Sequence, residues 1–223
     1  MPDTLSNITC VFFDAGNTLV FPDYVYLQNL LAENGVNCNM ADLKRYEFDA
    51  ISAAHLAGAH KPWKIYFTTW FQRVGVKSSL MPGLLHKIWQ RHRKKNLWCN
   101  LADDAMETLA VLKAQHFRLG VISNSDGKLE KLLNELNLAS FFETIVDSEV
   151  VGSRKPHADI FNLALSRLNA QPESALFVGD SYETDVLGAR NCGMPAILLD
   201  AEKRYRIIDC EKITQLKQLL KLL

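Results

Sequence analysis

The chain has 223 residues, 48% of them hydrophobic and 22% charged, a globular balance that excludes a disordered or collagen-like polypeptide. Its 25 Lys and Arg cancel 25 Asp and Glu, so no global field favours nucleic acid or an anionic membrane. This length predicts one large domain, or one domain carrying a sizeable insert.

The first residues, Met1 to Asn7, lack the basic region and long apolar run of a secretory signal. No stretch approaches the roughly 18 apolar residues of a membrane helix. The cysteines Cys10, Cys38, Cys99, Cys192 and Cys210 are odd in number, widely spaced and form no C-x-x-C. Together these features predict a cytoplasmic protein with reduced thiols, no disulfide framework and no zinc site, and with neither nucleic acid nor membrane as a partner.

The chain opens on an apolar run, Ile8–Phe13, with the character of a buried parallel strand. From about Pro22 to Asn96 the pattern turns helical. The apolar positions Leu27, Leu30, Leu31, then Leu43, Tyr46, Ala50, then Tyr66, Thr69, Trp70, then Leu84, Leu85, Ile88 predict four helices facing one another. Gly35, Gly58 and Gly75 suit helix C-terminal positions; Pro62 suits a first turn, and Pro82-Gly83 predicts a turn before the fourth helix. Trp63, Trp70, Trp89 and Trp98 are expected to pack this bundle, and the basic run Arg91–Lys95 to close its last helix against the dipole.

Strand and helix then alternate. Strands are expected at Phe117–Ser123, Ile145–Val146, Ala175–Val178 and Ala196–Leu199. Helices are expected at Asp103–His116 (with Met106, Leu109, Ala110 and Lys113 on one face), Lys128–Leu138, Ala158–Leu168 and Ile213–Leu223. This order implies a doubly wound, mostly parallel α/β core at about 1–20 and 97–223, interrupted at about 21–96 by a helical cap.

Four segments carry candidate chemistry. The first strand delivers Asp14 at its C-terminal end, where α/β sheets bind ligands, with Gly16 and Asn17 suited to a tight turn; alone, Asp14 is equally a turn cap. A second strand ends at Ser123-Asn124, able to meet a phosphate oxygen through the hydroxyl and the next N–H, or simply to cap a helix. In Arg154-Lys155-Pro156, a lysine fixed by the following proline can balance both a carboxylate and a phosphoryl group, with Arg154 on the surface. A third strand ends at Gly179-Asp180, with Asp185 five positions on. Clustered carboxylates repel without a cation, and small oxygen-rich sites suit Mg²⁺.

The order Asp14…Thr18, Ser123, Lys155-Pro156, Gly179-Asp180…Asp185 resembles the four motifs of the haloacid dehalogenase-like hydrolase superfamily, and the helical insert is similar to its C1-type cap. The resemblance covers nearly the whole chain. It implies Asp14 as a nucleophile forming an aspartyl-phosphate, and Ser123, Asn124 and Lys155 holding the phosphoryl group. It further implies Mg²⁺ on Asp14, the Gly16 carbonyl and Asp180, with Asp185 a direct or water-mediated partner, and a small phosphorylated metabolite as substrate.

One position departs from the pattern. Family phosphatases carry a second Asp two residues after the nucleophile as general acid and base; here it is Gly16. Such a loss typically costs about 10²–10⁴-fold in rate. Three expectations follow: substrates with good leaving groups, a substitute acid among His55, His60, Lys61 and Lys64 of the cap, or phosphate binding without turnover. The family's 2-haloacid dehalogenases also lack that Asp and use an early cap arginine, for which Arg45 and Arg73 are candidates. Retention of both Asp180 and Asp185 favours phosphate over halide, because an acidic pair beside a nucleophile calls for a cation.

Overall fold

The computed structural model describes residues 5–56, 62–206 and 208–223, without the side chains of His55, Leu56 and Pro62. The chain forms two compact units, Met1–Phe21 with Cys99–Leu223, and Pro22–Trp98. In chain order the elements are β1 (Cys10–Phe13), β2 (Val20–Pro22), α1 (Tyr24–Glu33), α2 (Met40–Leu56), α3 (Pro62–Arg73), α4 (Met81–Lys94), β3 (Trp98–Leu101), α5 (Ala105–Ala114), β4 (Arg118–Ser123), α6 (Leu129–Glu135), β5 (Thr144–Asp147), α7 (Ser148–Val151), α8 (Ala158–Arg167), β6 (Ala175–Gly179), α9 (Leu187–Arg190), β7 (Ala196–Leu199) and β8 (Glu211–Ile213).

The larger unit is the expected α/β fold. Six strands run in the order β5-β4-β1-β6-β7-β8, and every pair is parallel. Parallel pairing with helical crossovers buries both faces of a strand, which explains why Cys10–Phe13 and Ala175–Gly179 are buried at every position. Register aligns Phe13 with Val121 on one side and Val178 on the other. The chain therefore leaves β1, β4 and β6 along one edge of the sheet, at Asp14, Ser123 and Asp180. Gly120 makes this packing feasible: a Cβ there would lie 2.6 Å from the Phe12 ring.

Several expectations need correction. The C-terminal segment is not one α-helix: Ile213 ends β8, and Leu216–Lys221 is a 3₁₀-helix. Its buried residues Ile213, Leu216 and Leu219 recur every three positions, the period of a 3₁₀ turn rather than of an α-helix. On α5 the buried positions are Ala105, Thr108, Leu109 and Leu112, while Met106 is 41% exposed. The short strands β2 and β3 pair as a separate ribbon that hydropathy does not reveal.

Among the described residues the smaller unit holds four helices, α1 to α4. Gly35 and Gly75 adopt the left-handed φ expected after α1 and α3; Gly58 lies outside the described residues. Pro82-Gly83 does not precede α4 but belongs to its first turn, where a proline loses no hydrogen bond. On α2 Leu43 and Ala50 are buried as expected, but the position buried between them is Glu47, not its half-buried neighbour Tyr46. The Glu47 carboxylate, 1% exposed, accepts from Tyr24 Oη at 2.6 Å through Oε2 and from Tyr66 Oη through Oε1. Trp70, fully buried, donates from Nε1 to the Leu43 carbonyl at 2.7 Å. Trp89 is 38% exposed and stacks between Trp63 and His92. Arg91 pairs with Asp23 at 3.1 Å and also donates to the Lys95 carbonyl, so part of the basic run closes its own helix.

Replacing Glu47 with Leu would leave two phenolic O–H groups in an apolar interior without their shared acceptor. At about 1–3 kcal/mol for each such group, the expected destabilisation is on the order of 2–4 kcal/mol, read as a lowered urea midpoint. An unchanged midpoint would show that the two phenols find other acceptors.

Candidate active site

The site is assembled wholly within the α/β unit, from the loops that follow β1, β4 and β6 and from the turn before α8. Asp14 leaves β1 with its N–H donating to the Val178 carbonyl at 2.8 Å, so its backbone is still held by the sheet. The chain then turns tightly, with the N–H groups of Leu19 and Val20 both reaching the Ala15 carbonyl. The left-handed residue of this turn is Asn17, at φ 59°, and Gly16 is not among the residues with positive φ. Asparagine tolerates that region because its short side chain costs little there.

Lys155 precedes α8. It is buried, and its ammonium lies 2.5 Å from Asp14 Oδ1 and 2.7 Å from Asp185 Oδ1. The Phe177 ring lies beneath it, 5.2 Å from Nζ. Burial alone would lower the Lys155 pKa, but the attraction of Asp14 and Asp185 and the hydrogen bonds to both raise it above the ordinary lysine value. The group is therefore a fixed cation. Arg154, expected on the surface, is half-buried, and its carbonyl accepts from the His157 N–H at 2.8 Å.

The acidic pair is spaced by a wide turn. Ser181 caps a π-helical stretch, Tyr182–Val186, and its carbonyl accepts from both Asp185 N–H and Val186 N–H. This five-residue turn carries Asp185 back beneath β6, where Oδ2 accepts from the Ser181 N–H at 3.0 Å. Only a glycine fits above it: a Cβ at Gly179 would lie 2.2 Å from Asp185 Oδ2. Gly179→Ala is thus expected to push Asp185 out of its pair with Lys155. A loss of at least about 10²-fold in turnover is expected, of the size that follows displacement of a positioned group, with a lower melting temperature from overpacking. Wild-type rates in the alanine variant would show that Asp185 placement is irrelevant.

Carboxylate oxygens of Asp14, Asp180 and Asp185 all lie within 4.8 Å of one another. Burial raises the Asp14 pKa to about 6, and the Asp185 charge adds to this against the opposing pull of Lys155. Three carboxylates thus gather beside the Lys155 ammonium, and the donors are all hard oxygens. That donor set fits a small divalent cation such as Mg²⁺. Asp185 has both oxygens engaged by Lys155 and Ser181, which suits it to a water-mediated place. Asp14 and Asp180 are then the side chains suited to direct contact.

Ser123 is buried and ends β4 opposite Asp147 on β5. The role of Asp147 was not apparent in the sequence. Its carboxylate accepts from the N–H groups of Gly127, Leu129 and Glu149, fixing the loop that follows Ser123. A strand-final acid followed by a short helix was the available signal. Tyr205 was likewise missed: its hydroxyl accepts from the Tyr182 N–H at 3.2 Å, beside the acidic turn, and burial raises its pKa.

Of the other candidates, His60, Lys61 and the His55 side chain lie outside the described residues, and Lys64 and Arg45 are exposed. Arg73 pairs with Asp49 at 2.9 Å on the surface.

A family model for haloacid dehalogenase-like hydrolases matches residues 66–199, more than half of the chain. The chain belongs to that family. A relative from Pyrococcus furiosus, a glyceraldehyde 3-phosphate phosphatase, is 36% identical over 98% of this chain and 94% of its own length. The protein of the same name from Methanothermobacter thermautotrophicus is 44% identical over 43% of this chain, a match spanning 42% of that relative. In fold, the chain is similar to the magnesium-bound hydrolase YfnB from Bacillus subtilis. That comparison has a TM-score of 0.73 and 20% identity, and covers 98% of this chain and 99% of the other. The family match begins at Tyr66, so Asp14 lies outside it.

Proposed function

We propose that this hydrolase is a Mg²⁺-dependent phosphatase acting on small phosphorylated metabolites through Asp14. The observation that carries the reading is the convergence of three carboxylates, Asp14, Asp180 and Asp185, two of which pair with one buried ammonium. The phosphatases among its relatives support the choice of phosphate.

In this reading a carboxylate oxygen of Asp14 attacks phosphorus, the ester P–O bond breaks, and the alcohol oxygen leaves with the bonding pair. Water then attacks the aspartyl-phosphate, releasing inorganic phosphate and restoring Asp14. Lys155 holds Asp14 through Oδ1 and offsets charge on the transferring group. The Ser123 hydroxyl and the Asn124 backbone N–H receive phosphoryl oxygens. Asp14, Asp180 and the Gly16 carbonyl would hold Mg²⁺, with Asp185 behind a water; when bound, the ion supplies positive charge against the accumulating negative oxygens.

Gly16 offers the leaving group no proton. Substrates whose leaving group departs as a stable anion, a phenolate from an aryl phosphate or a carboxylate from an acyl phosphate, are therefore favoured over alkyl phosphates. The deciding assay measures phosphate release from aryl phosphate, glyceraldehyde 3-phosphate and a nucleoside monophosphate, with Mg²⁺ and with EDTA, beside halide release from 2-chloropropionate. Phosphate release that EDTA suppresses by about 10²-fold or more is expected, fastest on the aryl ester. Halide release in EDTA without phosphate release would overturn the reading in favour of a dehalogenase.

A further inference from the structure

Beside the bond from the His157 N–H to the Arg154 carbonyl, one side chain grips the turn that presents Lys155. Asn124 Oδ1 accepts from the Lys155 backbone N–H at 2.9 Å, and Asn124 Nδ2 donates to the Lys155 carbonyl at 3.0 Å. Both bonds have good lengths, and only one orientation of the amide satisfies them, since the N–H needs an acceptor and the carbonyl a donor. One primary amide thus occupies both polar groups of one residue's backbone, 31 positions away in sequence. From the backbone so fixed, four methylenes carry the ammonium to Asp14 and Asp185.

We infer that Asn124 is a positioning residue for Lys155, its amide acting as a clamp that fixes where the buried ammonium meets Asp14. A lysine side chain has several soft torsions, and its tip is only as well placed as its root. Because Asn124 directly follows Ser123, the clamp also sets the spacing between the β4 loop and the ammonium, the two groups proposed to share one phosphoryl group. The side chain is therefore committed to protein backbone, leaving its own N–H as the part of Asn124 for substrate. The kinetic consequence rests on the phosphatase reading; the placement of Lys155 does not.

The test compares wild type with Asn124→Ala, which removes both bonds, and Asn124→Asp, which keeps the acceptor and loses the donor. Lysine acetylation by a limiting reagent is followed peptide by peptide, so Lys155 is read against the exposed Lys77 and Lys217. In Asn124→Ala, Lys155 labelling is expected to rise roughly tenfold through local opening of its turn, while Lys77, Lys217 and the melting temperature stay unchanged. Asn124→Asp is expected to fall between. Turnover of aryl phosphate should drop about 10²-fold in Asn124→Ala, as for a displaced group.

A folded Asn124→Ala protein whose Lys155 stays as protected as in wild type would overturn the clamp. If that variant does not fold, Asn124→Asp decides by the same labelling ratio. Failure of both to fold also overturns the positioning role, by making the amide a folding requirement. Raised Lys155 labelling with no phosphate release from wild type would leave the clamp standing and remove the phosphatase. Phosphate release with flat labelling would do the reverse.

Discussion

Asp14→Asn is expected to reduce phosphate release by on the order of 10⁴-fold or more, the loss typical of removing a nucleophile whose partners remain in place. The substitution preserves shape and keeps an oxygen for Lys155, so substrate can still be held, but a neutral amide cannot attack phosphorus. Burial already disfavours the charged form of Asp14, raising its pKa from 3.8 to about 6. Removing that charge relieves a cost while stranding part of the Lys155 charge on Asp185. The melting temperature of the variant should accordingly lie within a few degrees of wild type, as at many sites where function opposes stability. Phosphate release at wild-type rates would exclude Asp14 as the attacking group.

Lys155→Met should be the more damaging change to the fold. The ammonium is 2.5 Å from Asp14 and 2.7 Å from Asp185, and the Lys155 side chain is 2% exposed. Breaking a buried pair by deleting one partner typically costs about 3–5 kcal/mol, because the other charge stays buried and unbalanced. The sign of its pH dependence follows. An acid whose folded pKa lies above its unfolded value destabilises the fold at pH above that folded pKa, and the penalty fades as pH falls through it. Asp14 is raised to about 6 even with the lysine present, so in its absence the pKa moves further up. Without metal, the melting temperature of Lys155→Met should fall furthest below wild type near pH 8 and approach it near pH 5. A pH-independent difference would mean that the lysine contributes packing rather than charge. Turnover should fall by about 10³-fold, the upper range for one electrostatic stabiliser.

The sheet was legible because its central strands are buried on both faces and so read as unbroken apolar runs. What escaped notice had weak or non-local signals. β8 carries Glu211 and Lys212 exposed before a single buried Ile213, a pattern indistinguishable from a loop. The C-terminal leucines fit a period of three or of 3.6 equally well until tertiary contacts choose. The burial of Glu47 has no local signal, because the phenols that make it tolerable come from Tyr24 and Tyr66, 23 and 19 residues away. Within the site, Asp14, Ser123, Lys155, Asp180 and Asp185 could be named from strand ends and motif order. The work of Asn124 could not, because a bond to a backbone 31 residues distant leaves no trace in local composition.

The turn after β1 has a consequence for how this chemistry can change over generations. Its left-handed residue is Asn17, whereas Gly16 has an ordinary backbone conformation. The left-handed conformation of the turn therefore does not depend on glycine at position 16. Two of the four glycine codons lie one base from an aspartate codon, and aspartate at position 16 would not have to adopt the left-handed φ that Asn17 carries. Selection on leaving-group preference can act on one letter of the gene while the architecture of the loop stays still.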